Sequence, residues 1–525
     1  MEIFKLSIII ILILISIISL LEASRLLKKS RKATSFFLLK GKLKTVSFIN
    51  AMVMTDLSFR IILITTTIGY VFGFKGIFFG VISIVTTISG YWIFKKYFKK
   101  FIEDVNNGGT LPEFISSLFI NGNNQEKIKY VRYCISVVSI LILIVSIIFE
   151  LHIAGSIFSS IFGIDNGIAF FPLLGLITLY AILGGYQGII VTDIIQMCML
   201  ILACMAAAYF MIEFKPEHDI ELKLTTETAF HDETTSSFTK YLRLLTSFLS
   251  GFVWLLTTTE SWQRFSATRS FKISNKGVLW SGLFKMIALV FFIAFGIYIR
   301  DVIEPVVEYY EKVPSNDLVL VDYFFKINDY VFKKGLKIAL ALIFVGLLMC
   351  AVSTVDSYLI GISHSFTSDM ALNRSSKRLG GLNTYENLRY SYVGKIAIII
   401  TSFIIMIVWY FLKMTDILKD PVYFFFFASS FQCILFSLLL IGLFVKRVNI
   451  YVLIFSIILG ITTTFFSWFY ILNFSKGSTF LLNMTKEDGI KSLPLFIFLL
   501  TTVSFIIINY LPIIFMRVCN IKKRG

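Results

Sequence analysis

The chain has 525 residues, of which 57% are hydrophobic and only 15% are charged, and its formal net charge is +17. A soluble domain keeps about a quarter of its residues charged, so this composition excludes an ordinary soluble protein. It predicts an all-α integral membrane protein. The basic residues stand in short loops between apolar runs, which argues against nucleic-acid binding. No stretch between the runs is long enough for a soluble module, and we expect no enzyme activity.

Apolar runs of spanning length recur along the whole chain. A span needs about 20 residues, and about thirteen are predicted, at residues 3–22, 46–72, 75–95, 130–152, 167–184, 188–212, 239–258, 277–299, 338–364, 391–412, 421–444, 449–473 and 493–516. The first run exceeds the ~7–15 apolar residues of a signal peptide, and basic charge follows it instead of preceding it. We therefore expect an uncleaved first helix.

The basic residues predict the orientation of these spans. Eight of them lie between residues 25 and 44, and further groups follow the third, seventh, ninth, eleventh and thirteenth spans. All of these loops fall on one side if the spans alternate, so that side is cytoplasmic by the positive-inside rule. We predict a multi-pass protein of the plasma membrane, with its N-terminus outside and its C-terminus in the cytoplasm.

Ionisable residues inside spans are costly, so each one raises a functional question. Asp56 and Arg60 are four residues apart, on one face of a continuous helix, and form either a structural ion pair or part of a binding site. Glu150 lies close to the outer end of its predicted span and is interpreted as an interfacial charge. Asp193 and Asp356 stand among hydroxyl and amide side chains and are the stronger functional candidates.

Two oxygen-rich segments are close enough in depth to form one cation site. Hard cations need several oxygen ligands, and Ser353, Thr354, Asp356 and Ser357 offer them on neighbouring turns of one helix. Asp193 lies about 8 Å from the cytoplasmic end of its span, and Ser353 about 23 Å from the outer end of its own. Both therefore belong to the inner third of the membrane and could meet, although hydroxyls also serve to pack membrane helices.

These segments resemble the sodium/solute symporter family. Its most recognisable signature, a glycine pair followed by Thr-Asp-x-x-Gln, is matched by Tyr180, Gly184, Gly185, Thr192, Asp193 and Gln196. The stretch Ser353-Thr354-x-Asp356-Ser357-x-Leu359, followed by Ser368-Asp369, resembles a later motif. Thr110-Leu111-Pro112-Glu113 and Trp262-Gln263-Arg264 are shorter supporting matches.

The resemblance implies a LeuT-like core of two inverted five-helix repeats. These would cover residues 45–212 and 239–444, joined by an extracellular loop at 213–238. An extra helix and a basic loop (1–44) would precede them, and two helices with a basic tail (445–525) would follow. The first helix of each repeat is broken in such folds. Residues 51–68 contain neither glycine nor proline, so the break near Met54 is expected from its position alone. The family's Gly-Gly-Arg before this helix is reduced here to Lys40-Gly41-Lys42.

The resemblance also implies site residues. The principal sodium site would use backbone carbonyls of Met54, Leu57 and Cys350 and the hydroxyls of Ser353 and Thr354. A possible second sodium would use Asp193, Asp356 and Ser357 together with Ser353. At the position of Asp356, relatives can have a residue with a simple hydroxyl. The carboxylate of Asp356 could therefore bind a proton instead of sodium. Substrate would lie beside Asp56, Ser58 and Arg60, and near Thr257, Thr258 and Glu260.

The sequence therefore predicts a sodium-coupled symporter that imports a small solute through the lipid bilayer by alternating access. Na+ is the only cofactor expected, and no obligate protein partner is evident. Arg60 slightly favours a carboxylate-bearing solute, but a sugar or another neutral solute fits equally well if Asp56 neutralises Arg60. A proton-coupled carrier using Asp193 or Asp356 and a non-transporting sensor on the same fold are the alternatives.

Overall fold

The computed structural model describes residues 2–26, 32–37, 43–104, 109–119, 125–214, 248–249, 251–268, 270–303, 331, 334–372, 383–414, 421–445, 448–474 and 486–522. These residues are almost entirely helical, and they form no strand beyond one bridge between Leu43 and Thr268. Most of the predicted extracellular loop 213–238, the start of the predicted seventh span (239–247) and many of the predicted cytoplasmic basic residues lie outside the described residues. The latter include Lys40, Lys42, Arg374, Lys377, Arg378, Lys446 and Arg447.

The helices follow the predicted spans closely. In chain order they are α1 (Glu2–Leu26), α2 (Ala33–Phe37), α3 (Thr45–Asp56), α4 (Phe59–Phe72), α5 (Gly76–Asp104), α6 (Leu111–Ser117), α7 (Gln125–Phe162), α8 (Asn166–Glu213), α9 (251–257), α10 (Thr259–Ala267), α11 (Phe271–Tyr298), α12 (Lys334–Ser365), α13 (Thr384–Met414), α14 (Pro421–Phe444), α15 (Ile450–Phe474) and α16 (Lys486–Lys522). Short π-helical segments, Ile299–Ile303 and Phe366–Ala371, extend α11 and α12. The short helices α2 and α6 have no counterpart among the predicted spans.

Ten helical stretches of the described residues are long and apolar enough to cross a membrane. One of them, α8, has 48 residues and would be about 72 Å long if straight, far more than the ~30 Å hydrocarbon core. A single non-helical residue, Gly185, divides it with φ of 57°. Only glycine adopts this conformation easily. The bend separates the predicted fifth and sixth spans, while the total of thirteen stays a prediction.

Gly185 also allows a close helix contact. A Cβ atom at this position would come within 3.0 Å of the Phe36 backbone. The glycine pair of the family signature therefore has a structural reason in this chain: it bends α8 and lets α2 pack directly against the bend.

The outer surface of the helices is apolar, and the buried interior contains polar and charged side chains as well as a hydrophobic core. Ile13, Leu14 and Ile17 of α1 are about half exposed, as expected for a surface that faces lipid. By contrast, α12 is buried along nearly its whole length from Met349 to Ser365. Because α12 packs against α7 and α8, its hydroxyl-bearing turns face the acidic residue of α8 in the centre of the protein.

Candidate cation and solute site

The first core helix is broken between α3 and α4. Leu57, with φ −85° and ψ 57°, and the extended Ser58 interrupt it, one turn after the expected position near Met54. The Ser58 hydroxyl accepts a hydrogen bond from the Ile61 amide at 3.3 Å and so caps α4. Serine is among the preferred N-cap residues. The cap explains how the chain leaves the helix here without glycine or proline.

The second broken helix lies between α9 and α10. Thr258 is extended, with φ −92° and ψ 120°, and makes no side-chain cap. The Trp262 indole Nε1 instead reaches back across the break and donates to the Leu256 carbonyl at 2.9 Å. The Trp262 ring is buried between Phe98 and Phe114, with centroid separations of 4.7 and 4.6 Å. Packing around Trp262 therefore fixes this break.

The residues predicted for the principal sodium site converge beside the first break. Because α3 ends at Asp56, the carbonyls of its last turn, including that of Met54, have no following helical amide. The Thr354 hydroxyl lies 2.9 Å from the Cys350 carbonyl and 3.5 Å from the Thr55 carbonyl. Like Met54, Leu57 and Cys350, it is fully buried. Helix α12 thus places the Thr354 hydroxyl beside the end of α3.

The two predicted acids of the cation cluster lie at the contact between α8, which carries Asp193, and α12, which carries Asp356. The Ser353 hydroxyl donates to Asp193 Oδ1 at 2.7 Å, and the Tyr180 hydroxyl donates to Asp356 Oδ2 at 2.6 Å. The other carboxylate oxygen of each acid, Oδ2 of Asp193 and Oδ1 of Asp356, is buried without a hydrogen-bond partner among the described residues. Uncompensated buried carboxylate oxygens are costly, and this donor set suits a hard monovalent cation.

Ser357 belongs to the same cluster but is engaged differently. Its hydroxyl lies 3.2 Å from the Thr55 hydroxyl and accepts a hydrogen bond from Arg264 Nη2 at 3.0 Å. Arg264 Nη2 also donates to Thr55. The arginine of the Trp-Gln-Arg motif therefore links the second broken helix to the first and to α12.

The hypothesis of an ion pair between Asp56 and Arg60 is wrong. Asp56 Oδ2 instead contacts Lys285 Nζ of α11 at 2.5 Å, and its Oδ1 accepts from the Trp254 indole at 3.4 Å. Arg60 pairs with Glu150, with 3.6 Å between Nε and Oε1. The spacing of four residues brings side chains together only on a continuous helix, and the break falls between these two residues.

Glu150 is also not an interfacial charge. Its side chain is fully buried, and Oε2 accepts a hydrogen bond from the Arg60 backbone amide at 3.3 Å. Helix α7 has 38 residues and continues to Phe162, so Glu150 lies well inside it. The apolar run that sets the predicted outer end of this span is shorter than the helix.

The remaining predicted substrate residues surround the second break. The hydroxyl of Thr257 donates to the Val253 carbonyl at 2.9 Å, and that of Thr258 to the Ser261 hydroxyl at 2.8 Å. Glu260, in the first turn of α10, is 2% exposed, and neither carboxylate oxygen has a hydrogen-bond partner among the described residues. Negative charge is favourable in the first turn of a helix, so part of its burial cost is offset locally.

Sequence reasoning missed Lys285, which lies in the middle of a predicted span. That position was itself a signal, because a buried lysine is as costly as a buried acid.

A second cluster of charged residues, to which the sequence analysis gave no role, joins two of the family motifs. Asp369 Oδ1 contacts Arg132 Nη2 at 2.6 Å and accepts from the Thr110 hydroxyl at 2.8 Å, while Glu113 lies 3.5 Å from the same guanidinium.

Comparisons with known proteins agree with this arrangement. The model of the sodium:solute symporter family matches residues 36–460. A solved structure of a Na+-coupled sialic acid symporter, described as substrate-bound, outward-open and revealing a novel Na+-site, superposes with a TM-score of 0.71 at 16% identity, covering 96% of each chain. A mutant of the Eremococcus coleocola manganese transporter gives a TM-score of 0.48 at 12% identity, covering 87% of this chain and 94% of that chain. No curated protein matches.

The family match covers most of the chain, and the superposition with the sialic acid symporter supports the same LeuT-like fold. The two broken helices are the feature that such transporters use to bind ions and solutes. The chain therefore belongs to the sodium:solute symporter family, as a multi-pass membrane transporter with Na+ as its coupling ion and no enzyme activity.

Proposed function

We propose that this protein imports a small organic solute together with sodium by alternating access, with the cation site at Asp193, α12 and the end of α3. One observation carries the proposal: Ser353 of α12 contacts Asp193 of α8 at 2.7 Å, next to the carbonyls that the first helix break releases. Two helix breaks, one in each proposed five-helix repeat (45–212 and 239–444), support the proposed inverted-repeat division.

The principal sodium would bind the carbonyls of Met54, Leu57 and Cys350 and the hydroxyls of Ser353 and Thr354. A second ion would use the unpartnered oxygens of Asp193 and Asp356, with Ser357 nearby. Sodium binding from outside would favour the outward-open state, because a ligand shifts the population toward the state that it binds better. Sodium release into the cytoplasm would then free the solute.

The balance of buried charge supports more than one cation per cycle. Among the described residues around the two breaks, there are five buried acids (Asp56, Glu150, Asp193, Glu260 and Asp356) and three buried bases (Arg60, Arg264 and Lys285). When all are ionised, two negative charges are in excess. Buried charges need compensation, and two sodium ions with a neutral solute would supply it.

The solute would bind between the two breaks, beside Asp56, Ser58 and Arg60 and near Thr257, Thr258 and Glu260. The predicted preference for a carboxylate rested on Arg60 as an uncompensated cation. Since Arg60 pairs with Glu150, a neutral solute such as a sugar gains equal standing. The Arg60 guanidinium also lies 5.6 Å from the Phe149 ring and 5.7 Å from the Trp254 ring, which gives the site apolar walls suited to an organic solute.

The ion site can be tested on the purified protein without knowing the solute. We expect added sodium chloride, but not potassium chloride, to raise the unfolding temperature, because an ion that binds only the folded state stabilises it. Asp193→Asn should raise the sodium concentration needed for half of this effect at least about tenfold, through loss of a charged ligand. Asp165→Asn is the matched control, since Asp165 pairs with Lys413 at the surface. A parent protein indifferent to sodium would contradict the proposal.

The same assay then identifies the solute class. Matched pairs such as glucuronate and glucose are added with and without sodium, and a true substrate should stabilise more when sodium is present. Uptake of that solute into proteoliposomes would complete the test. Flux that follows a pH gradient and ignores sodium would instead indicate a proton-coupled carrier, and binding without flux would indicate a sensor. Labelling of cysteines introduced at each end would test the proposed outer N-terminus and cytoplasmic C-terminus.

A further inference from the structure

Arg264 lies against the proposed cation cluster in an unusual electrostatic position. Its side chain is 1% exposed, and Nη2 donates to the hydroxyls of Ser357 and Thr55. Arg264 makes no direct ion pair with any described residue, and its Nε and Nη1 have no hydrogen-bond partner among them. A buried guanidinium without a paired carboxylate is costly, so its charge must be balanced at longer range.

The acids that balance the charge of Arg264 lie on the cation side of the site and on its solute side. Glu260 stands one turn before Arg264 on α10, and Asp193 lies within range of the guanidinium charge on the cation side. Its hydrogen bonds go to neutral hydroxyls, one of which, Ser357, is a proposed sodium ligand. The guanidinium therefore supplies a fixed positive charge at the edge of the place where sodium would bind.

We propose that Arg264 is a built-in counter-cation of the sodium site, a role that rests on the proposed function. Without sodium, Arg264 neutralises Asp193 at long range and ties Ser357 to Thr55, which holds α10, α12 and α3 together. Sodium at Asp193 and Ser357 competes with Arg264 for the same negative charge and the same hydroxyl. Sodium binding thus loosens a contact between the two broken helices, and sodium release restores it.

This role gives the sodium-free transporter a way to complete its cycle. Asp193 and Asp356 would carry uncompensated buried charge once sodium has left, and such charge is unfavourable in a protein interior. Arg264 supplies part of the missing positive charge from within the chain. The arginine acts on the ion through charge and through Ser357, so it is a positioning and coupling residue and not a ligand.

The test measures how the sodium concentration for half-maximal thermal stabilisation changes when the arginine charge is removed. Arg264→Gln should lower this concentration about tenfold, because a repelling charge near the ion is lost. Arg264→Lys, which keeps the charge but not the planar fork, should stay within about twofold of the parent. Arg25→Gln on the lipid-exposed helix α1 is the control and should match the parent.

A gain in sodium affinity distinguishes this role from a structural one, because damage to the fold would weaken sodium binding. If Arg264→Gln does not fold, Arg264→Met removes the same charge without adding a buried amide, and the expected result is unchanged. Equal or weaker sodium binding by the neutral variants would overturn the role of Arg264 and leave the sodium site intact. A parent protein that ignores sodium would overturn both.

Discussion

The two helix breaks that line the site are stabilised by different forces. At the first break, between α3 and α4, the buried charges are paired: Asp56 with Lys285 and Arg60 with Glu150. At the second break, between α9 and α10, the buried Trp262 fixes the backbone, while Glu260 and Arg264 form no ion pair with a described residue. The difference indicates that the charged side chains at the first break compensate one another directly, whereas those at the second break depend on charges farther away.

The largest effect is expected for a substitution that removes the packing around the second break. Trp262→Ala deletes an aromatic side chain packed among Phe98, Phe101 and Phe114, together with the hydrogen bond across the break. Truncation of a buried tryptophan costs about 3–5 kcal/mol. We expect a loss of that size in the free energy of unfolding, measured by denaturant unfolding in detergent.

Trp280→Ala is the matched control for this substitution. Trp280 of α11 is 52% exposed, so its truncation leaves no buried cavity and should change stability by less than about 1 kcal/mol. Similar losses for the two variants would contradict the claim that packing around Trp262 fixes the second break.

The next largest effect is expected for a substitution that removes one partner of an ion pair at the first break. Lys285→Met leaves the Asp56 carboxylate buried without its cation and should destabilise the protein by about 3 kcal/mol. The double variant Lys285→Met with Asp56→Asn should recover most of that loss, because no buried charge is then left unpaired. Comparison of the single and double variants by thermal unfolding checks this coupling. Additive losses would mean that Asp56 and Lys285 do not stabilise each other.

The smallest effects are expected for two substitutions that compare the hydroxyl contacts at the two breaks directly. Ser58→Ala removes a hydroxyl that accepts from the Ile61 amide, and loss of such a cap costs about 1 kcal/mol. Thr258→Ala removes only a hydroxyl-to-hydroxyl contact with Ser261 and should cost about half as much or less. Equal losses would show that the two breaks do not differ in capping. Both values come from the same unfolding measurement.

Much of the fold follows from patterns that are local in the sequence. Hydropathy locates the described spanning helices, because a bilayer requires a minimum length of apolar helix. It does not fix their ends, since α5 continues to Asp104 and α7 to Phe162, beyond the predicted ends at 95 and 152. The glycine pair of the family signature also marks the position of an irregular backbone conformation, since Gly185 is the residue that bends α8. The short helices α2 and α6 were missed because they do not cross the membrane and carry no spanning signal.

The charged residues of the site could not be assigned in the same way. Asp56 and Arg60 look like an ion pair on a continuous helix, but the break after Asp56 sends their side chains to different partners. Those partners, Lys285 and Glu150, are 229 and 90 residues distant along the chain. Only tertiary packing brings them together, and no local spacing encodes which acid receives which base.

By itself, the sequence determined that this protein spans a membrane and belongs to a family of sodium-coupled symporters, and it marked Asp193 and Asp356 as functional candidates. These features depend on apolar length and on motifs within single segments. The tertiary structure alone decided which buried charges are paired, where the unpaired carboxylate oxygens lie and which basic side chain lies near them. The physical reason is that charge compensation in a low-dielectric interior acts between residues that are close in space, wherever they stand in the chain.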